Sequence, residues 1–169
     1  MKKTTTVKLV RTAVIAAVYA CITLALYPIS FSVLQVRVSE ALTILPLLFP
    51  EAIVGLTAGC LIANCFSGHV LDIVFGTLAT FISAVITYFI GRKIKNCYLK
   101  VLLGALPPVI INAFVVPFTY LAVSELEQAY FLGVLSVGAG QAIAVFALGI
   151  PLYIAIKKLN ERNKGDTSQ

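Results

Sequence analysis

Charge is the scarcest commodity in this sequence. Asp, Glu, Lys and Arg together make up 12% of its 169 residues; seven residues are acids and one is a histidine. A soluble domain keeps its charged groups in water and needs many more of them, so that class is excluded. With few acids and a lone His69, intramembrane hydrolysis and metal chemistry have few candidate groups, and no catalytic or metal-ligating set stands out. The patterns G-x-x-x-x-G-K-[ST], H-E-x-x-H and G-x-S-x-G are all absent. Without such a motif, any ATP-driven step would need another chain to hydrolyse the nucleotide. Cys21, Cys60, Cys65 and Cys97 form no C-x-x-C pair, so they read as small apolar span residues or a cytoplasmic thiol. No internal repeat supports an inverted-repeat transporter.

What the chain has in quantity is apolar surface. Hydrophobic residues make up 60% of it, and the mean hydropathy is +0.99. Runs of about 20 apolar residues, enough to cross a hydrocarbon core, recur from end to end. One integral membrane domain fits, with no soluble domain appended. The net charge of +6 could point to nucleic acid, but its distribution excludes that reading. Lys2, Lys3, Lys8 and Arg11 precede the first apolar run. Arg92, Lys93, Lys95 and Lys100 form a second cluster, and Lys157, Lys158, Arg162 and Lys164 a third. Such clustering is what the positive-inside rule predicts for cytoplasmic flanks.

Parity sets the number of spans. Residues 9–29, 70–90, 99–122 and 130–156 each read as one span. Taken as one more, residues 40–67 would give five and put Arg92, Lys93 and Lys95 outside. Taken as two short spans, 40–50 and 52–67, they give six, with every basic cluster inside. Pro50 and Glu51 suit the turn between them, since proline removes a donor and glutamate is costly at mid-depth. The expected fold is an all-α integral membrane bundle of six transmembrane helices, both termini cytoplasmic, with a polar, frayed tail over 159–169. The first run continues to about Ile29, longer than a signal-peptide core, which favours a retained span. Tyr27, Tyr120 and Tyr130 fall at outer span ends and Tyr88, Tyr98 and Tyr153 at inner ends. Only Tyr19 lies inside a span, so the tyrosines agree with the topology.

Polar residues within this landscape are the candidate site. The segment Gln35-Val-Arg37-Val-Ser-Glu40 is a polar island, and Arg37 is the one basic residue between Arg11 and Arg92. With Asn64, His69, Asp72, Glu125 and Glu127 it falls on the outward side, while Asn112 and Gln141 lie deeper. The pattern suggests a cavity open outward and closed below, because an ionisable group in a membrane is costly and usually functional. Each residue also has a structural reading. Arg37 and Glu40 could pair, with Ser39 capping a helix whose first turn Glu40 favours through the dipole, and Asp72 suits a helix N-terminus. Asn64 could satisfy backbone, Asn112 carbonyls freed by Pro107, Pro108 or Pro117, and Gln141 a neighbouring helix. His69, Glu125 and Glu127 read as solvated loop residues. The short, proline-interrupted stretch 40–51 is where a transporter's binding region is most often found. Ala13/Ala17, Ala16/Ala20 and Gly55/Gly59 are small-xxx-small pairs, serving either internal packing or docking of another membrane subunit.

Gln35-Val-Arg37-Val-Ser-Glu40-Ala-Leu-Thr-Ile-Leu-Pro46, Gly59-Cys-Leu-Ile-Ala-Asn64 and Leu71-Asp72-Ile-Val-Phe75-Gly76-Thr-Leu-Ala79 resemble the QueT family of queuosine-precursor transporters. Size, six spans and an alanine-rich first span resemble, more broadly, the substrate-binding S-component of an energy-coupling factor transporter. The last span departs from the family pattern, having Gln141 where an acid is more usual, which weakens a direct ligand role for that residue. The resemblance implies an S-component-like bundle in the cell membrane that captures 7-deazaguanines, with a cyano or aminomethyl group at position 7, from outside. It implies closure of the 30–39 loop over the ligand, docking through Ala13, Ala16, Ala17 and Ala20 onto a transmembrane coupling subunit, and two ATPase subunits. No cofactor of the chain's own is implied. Gln35, Arg37, Glu40, Asn64, Asp72, Asn112 and Gln141 are the expected substrate-binding residues. Glu40 or Asp72 would accept the ring N–H and exocyclic amine, while Arg37, Gln35 or Asn112 would donate to the ring carbonyl. Phe31, Tyr27 or Phe114 would stack on the ring. An aminomethyl cation would suit two nearby acids better than the cyano form. The residues alone say only a small, polar, planar solute. The competing expectations are a stand-alone secondary transporter or channel using Glu40 and Asp72 as proton or cation sites, a membrane enzyme, or an assembly factor.

Overall fold

The structure, a computed structural model, describes residues 2–30, 36–121 and 127–166, with side chains over 5–30, 36–119 and 130–162. Every regular element among the described residues is helical. The helices are α1 (Lys2–Ala25), the single turn α2 (Tyr27–Ser30), α3 (Ala52–Cys65), α4 (Thr77–Lys93), α5 (Cys97–Leu121), α6 (Glu127–Ala142) and α7 (Ile150–Asp166). A 3-10 helix spans Val38–Leu47, and π-helical segments at Asp72–Gly76 and Ile143–Gly149 lead into α4 and α7. Four stretches are long and apolar enough to cross a membrane: Thr5–Ala25, Asp72–Lys93, Cys97–Thr119 and Tyr130–Arg162. This is a multi-pass membrane protein. Val38–Leu47 and Ala52–Cys65 are shorter apolar helices, and the chain turns between them at Pro50 and Glu51. The last helix runs to Asp166, so the polar residues after Lys158 are helical that far instead of frayed.

The surface is apolar, and the interior holds polar side chains beside its apolar core, unlike a soluble fold. Val14, Phe81, Leu102, Phe118, Leu135 and Ile154 are exposed, as lipid-facing side chains should be. Buried, by contrast, are Thr23, Ser39, Thr43, Thr80, Ser83 and Thr87, along with Arg37, Glu40, Asn64, Asp72, Asn112 and Gln141.

At the centre lies the 3-10 helix. Ser39–Pro46 are all buried, and the element touches α1, α3, α4, α5, α7 and the Ile143–Gly149 segment. Ten residues of 3-10 helix are unusual, since such runs rarely exceed three or four. The neighbouring helices come close to it at glycines. A Cβ on Gly149 would lie 2.9 Å from the Ala41 carbonyl oxygen, and one on Gly104 would lie 2.7 Å from a Leu47 methyl carbon. The tight helix is therefore wedged into a space that larger side chains on its neighbours would close.

Against α3, α1 packs by the same device. A Cβ on Gly59 would approach the Ala16 carbonyl oxygen to 2.7 Å, and one on Gly55 the Thr12 carbonyl oxygen to 2.8 Å. Ala16 and Ala20 are buried, whereas Ala13 and Ala17 are exposed. The four alanines expected to form one docking face are thus divided. Ala16 is used inside the molecule, where it meets Gly59 of α3, and Ala20 is buried as well. Ala13 and Ala17 are available to a partner.

Prolines in α5 leave carbonyls without helical donors, and α4 meets one of them. Pro108 has no N–H for the Gly104 carbonyl four residues back, and Thr87 Oγ1 donates to that oxygen at 3.0 Å. Repair of this carbonyl falls to Thr87, which leaves Asn112 free for another role.

Candidate functional site

The 3-10 helix begins with Glu40 in its first turn, and the Glu40 carboxylate is buried where three helices converge. From α1, the Tyr19 hydroxyl donates to Oε1. From α5, Asn112 Nδ2 donates to Oε2 at 3.4 Å, and from α6 Gln141 Nε2 donates to the same oxygen at 2.8 Å. Beside them Thr23 Oγ1 and Ser39 Oγ lie 2.6 Å apart, and Thr43 Oγ1 donates to the Glu40 carbonyl at 2.6 Å. Glu40 caps no helix through its side chain; it gathers donors from distant elements.

A second cluster surrounds Arg37, which precedes the 3-10 helix. Its Nη1 donates to Asn64 Oδ1 at 3.2 Å, its Nε to the Ser30 carbonyl at 3.4 Å, and its Nη2 lies 3.6 Å from Asp72 Oδ2. The local Arg37–Glu40 pair considered from sequence gives way to a crossed arrangement. Arg37 faces Asp72, and Glu40 takes uncharged partners. Asp72 opens the π-helical segment that precedes α4, and Asn64 Nδ2 donates to its carbonyl at 3.0 Å. That contact satisfies backbone loosened by the wider turn, while Asn64 Oδ1 still serves Arg37. Thr119 Oγ1 lies 3.1 Å from Asp72 Oδ1 and 2.7 Å from the Val116 carbonyl, so its single proton serves one of the two. Cys60 Sγ accepts from Thr80 Oγ1 at 3.2 Å and from Asn64 Nδ2 at 3.4 Å at the base of this cluster.

Arg37, Glu40, Asn64, Asp72, Asn112 and Gln141 are therefore all buried and gathered into two adjoining clusters. Gln35 and Phe31 lie outside the described residues, as do the side chains of Glu125 and Glu127. His69 is exposed, and Tyr27 and Phe114, proposed as stacking partners, are exposed too. Tyr19 and Thr119 were missed from sequence. A signal existed for Tyr19, the one tyrosine away from the interfacial belts. Thr119 carried none, since threonine is common in membrane helices.

Residues 9–158 match the QueT transporter family. The chain belongs to that family. QueT family members are transporters, so the chain is not an enzyme, and the likeness carried by residues 35–80 is that of its family. The chain is 32% identical over 100 residues to the queuosine precursor transporter QueT of Lactococcus lactis subsp. cremoris, a match covering 58% of this chain and 59% of that one. It thus spans about three-fifths of the curated QueT relative. No solved structure matches it.

Proposed function

We propose that this chain is the substrate-binding S-component of an energy-coupling factor importer in the cell membrane, capturing queuosine precursors of the 7-deazaguanine class from outside. Family membership supplies the substrate class, through a relative named as a queuosine precursor transporter. The observation that carries the reading is the convergence of Tyr19, Asn112 and Gln141 on the Glu40 carboxylate, beside the Arg37–Asp72 pair, within an apolar-surfaced bundle. Carboxylates, amides and a guanidinium are the groups that read a purine-like edge. Glu40 or Asp72 accepts the ring N–H and exocyclic amine, and Arg37 or Asn112 donates to the ring carbonyl. Glu40 already holds donors from Tyr19, Asn112 and Gln141, so a ligand that reaches this carboxylate binds by exchanging partners.

In this reading the chain crosses the membrane six times with both termini cytoplasmic. Support comes from Arg11 Nη1, which pairs with Glu51 Oε1 at 3.2 Å and so brings the Pro50–Glu51 turn to the level of the basic N-terminal flank. Ala13 and Ala17 dock onto a transmembrane coupling subunit, and two ATPase subunits drive release inward. Calorimetric titration of the purified protein with 7-deazaguanines, guanine and common vitamins tests the substrate. Tight binding of a deazaguanine alone is expected, and no binding to any deazaguanine overturns it. Full transport by the chain in vesicles without ATPase partners overturns the S-component role and favours a stand-alone transporter.

A further inference from the structure

We propose that the groove between α5 and α7 binds an anionic phospholipid, with Lys157 holding the phosphate and the groove holding an acyl chain. Such a site requires only that the chain spans a membrane, as its long apolar helices do.

The two helices that wall the groove find their packing partners elsewhere. α5 packs on α4 and α6, and α7 on the 3-10 helix and the Ile143–Gly149 segment, but α5 and α7 are not closely packed on each other. A cavity of about 600 Å³ lies between them. Val101 and Tyr153 line it from the core, where both are buried in a cluster with Ile44. Leu102 and Ile154 line it too and are exposed. Along α7 the lining runs from Ile150 to Lys157, about two turns or roughly 10 Å. An apolar space of this kind gives water too few partners to hold it, so its occupant in a bilayer is a hydrocarbon chain.

The end of the groove is different. Lys157 on α7 reaches across to α5 and donates from Nζ to Cys97 Sγ at 3.4 Å, which sets its ammonium at that end of the cavity. Sulfur is a weak acceptor. Glu161 Oε1 lies 3.9 Å away on a side chain that is 67% exposed, and a solvated pair of that kind is worth little. Within five residues of Cys97 or Lys157 the sequence has six further basic residues and one acid, Glu161. The exposed ring of Tyr98 also lines this end, where an amphipathic side chain suits the level of lipid headgroups. Basic pockets between membrane helices are suited to anionic headgroups. A zwitterionic lipid would fill the groove and leave the excess positive charge unmatched; a free phosphate would match the charge and leave the groove unfilled. An anionic phospholipid has both parts in one molecule.

Native mass spectrometry of the full chain, delipidated in detergent, tests the site with added phosphatidylglycerol and phosphatidylcholine of the same acyl chains. Phosphatidylglycerol should bind about fivefold or more tightly, the scale on which a single basic residue near the surface attracts anionic lipid. Lys157→Gln should bring the two lipids level. Lys8→Gln removes a charge from α1, which packs on α3 and the 3-10 helix, and should keep the preference. Leu102→Trp, at an exposed position, should fill the groove and weaken both lipids. Equal binding of the two lipids by the native protein overturns the proposal, and that comparison requires no variant to fold. A preference that survives Lys157→Gln, or that Lys8→Gln removes as fully, overturns it in favour of a diffuse basic surface. Glycerol phosphate binding as tightly as phosphatidylglycerol would make this a site for free phosphate. Lipid binding unchanged by Leu102→Trp, with copurification of a membrane partner lost, would give the groove to a protein instead.

Discussion

Gln141 Nε2 lies 2.8 Å from Glu40 Oε2, tying α6 to the central 3-10 helix across 101 residues of sequence. A hydrogen bond to a charged group contributes about 1.5–3 kcal/mol, and this one is fully buried. Gln141→Leu keeps comparable bulk but removes the donor. It should lower ligand affinity roughly tenfold and reduce the melting temperature in detergent, since Glu40 would keep only two of its donors. Calorimetry and thermal unfolding of the same preparation read both effects. Affinity unchanged by this substitution would mean that the carboxylate it holds does not touch the ligand.

Tyr19 approaches the same carboxylate from the other side, and its ring is fully buried against the face of α3 that carries Gly59. Tyr19→Phe preserves that packing and deletes only the hydroxyl. Ligand affinity should fall by about 1–2 kcal/mol, close to tenfold, while the ring continues to hold α1 on α3. Tyr19→Ala removes the ring as well and should cost about 3–5 kcal/mol of stability, as large-to-small changes in a core do. If the two variants unfold at the same temperature, the hydroxyl and not the ring carries the packing, contrary to the geometry.

The contrast between Glu40 and Tyr19 also explains what the sequence made legible. Charged and amide groups inside apolar runs are costly enough to stand out, so Arg37, Glu40, Asn64, Asp72, Asn112 and Gln141 could be picked from composition alone. Their pairings could not. Arg37 meets Asp72 rather than Glu40 because of how the π-helical segment and the 3-10 helix sit together, and no local rule specifies that. Tyr19 hid behind an apolar ring that suits any span. Small-residue spacing announced that helices approach closely, but not which ones; Ala16 meets Gly59 of α3 and Ala20 is buried, whereas Ala13 and Ala17 are exposed. Apolar length marked Val38–Leu47 as a separate short element. Its 3-10 winding depends on packing among six neighbours, which periodicity does not record.

Thr87 supplies the Gly104 carbonyl with the donor that Pro108 cannot. Thr87→Val is nearly isosteric and leaves that oxygen buried without a partner, at a cost of about 1–3 kcal/mol. The melting temperature should drop while ligand affinity at low temperature stays close to native, because Thr87 touches none of the groups around Glu40 or Arg37. Thr87→Ser retains the hydroxyl and should recover much of the loss. Failure of serine to do so would assign the effect to the lost methyl group and not to the carbonyl.

The division of the α1 alanines sets two substitutions against each other. Gly59 faces Ala16 and Tyr19 so closely that an added Cβ would lie 2.7 Å from the Ala16 carbonyl oxygen. Gly59→Val must push α1 away from α3, and overpacking of that kind costs about 1–3 kcal/mol. It should also move Tyr19 off Glu40, so stability and ligand affinity should fall together. Ala17 is exposed on the same helix. Ala17→Phe adds its ring at an exposed position, so melting temperature and ligand affinity should remain native, within about 0.5 kcal/mol for a surface change. If that face receives the coupling subunit, the same variant should lose copurification with the coupling complex and ATP-dependent uptake in vesicles. Native uptake with Ala17→Phe would shift docking to another surface, and lost ligand affinity would show that Ala17 packs internally like Ala16.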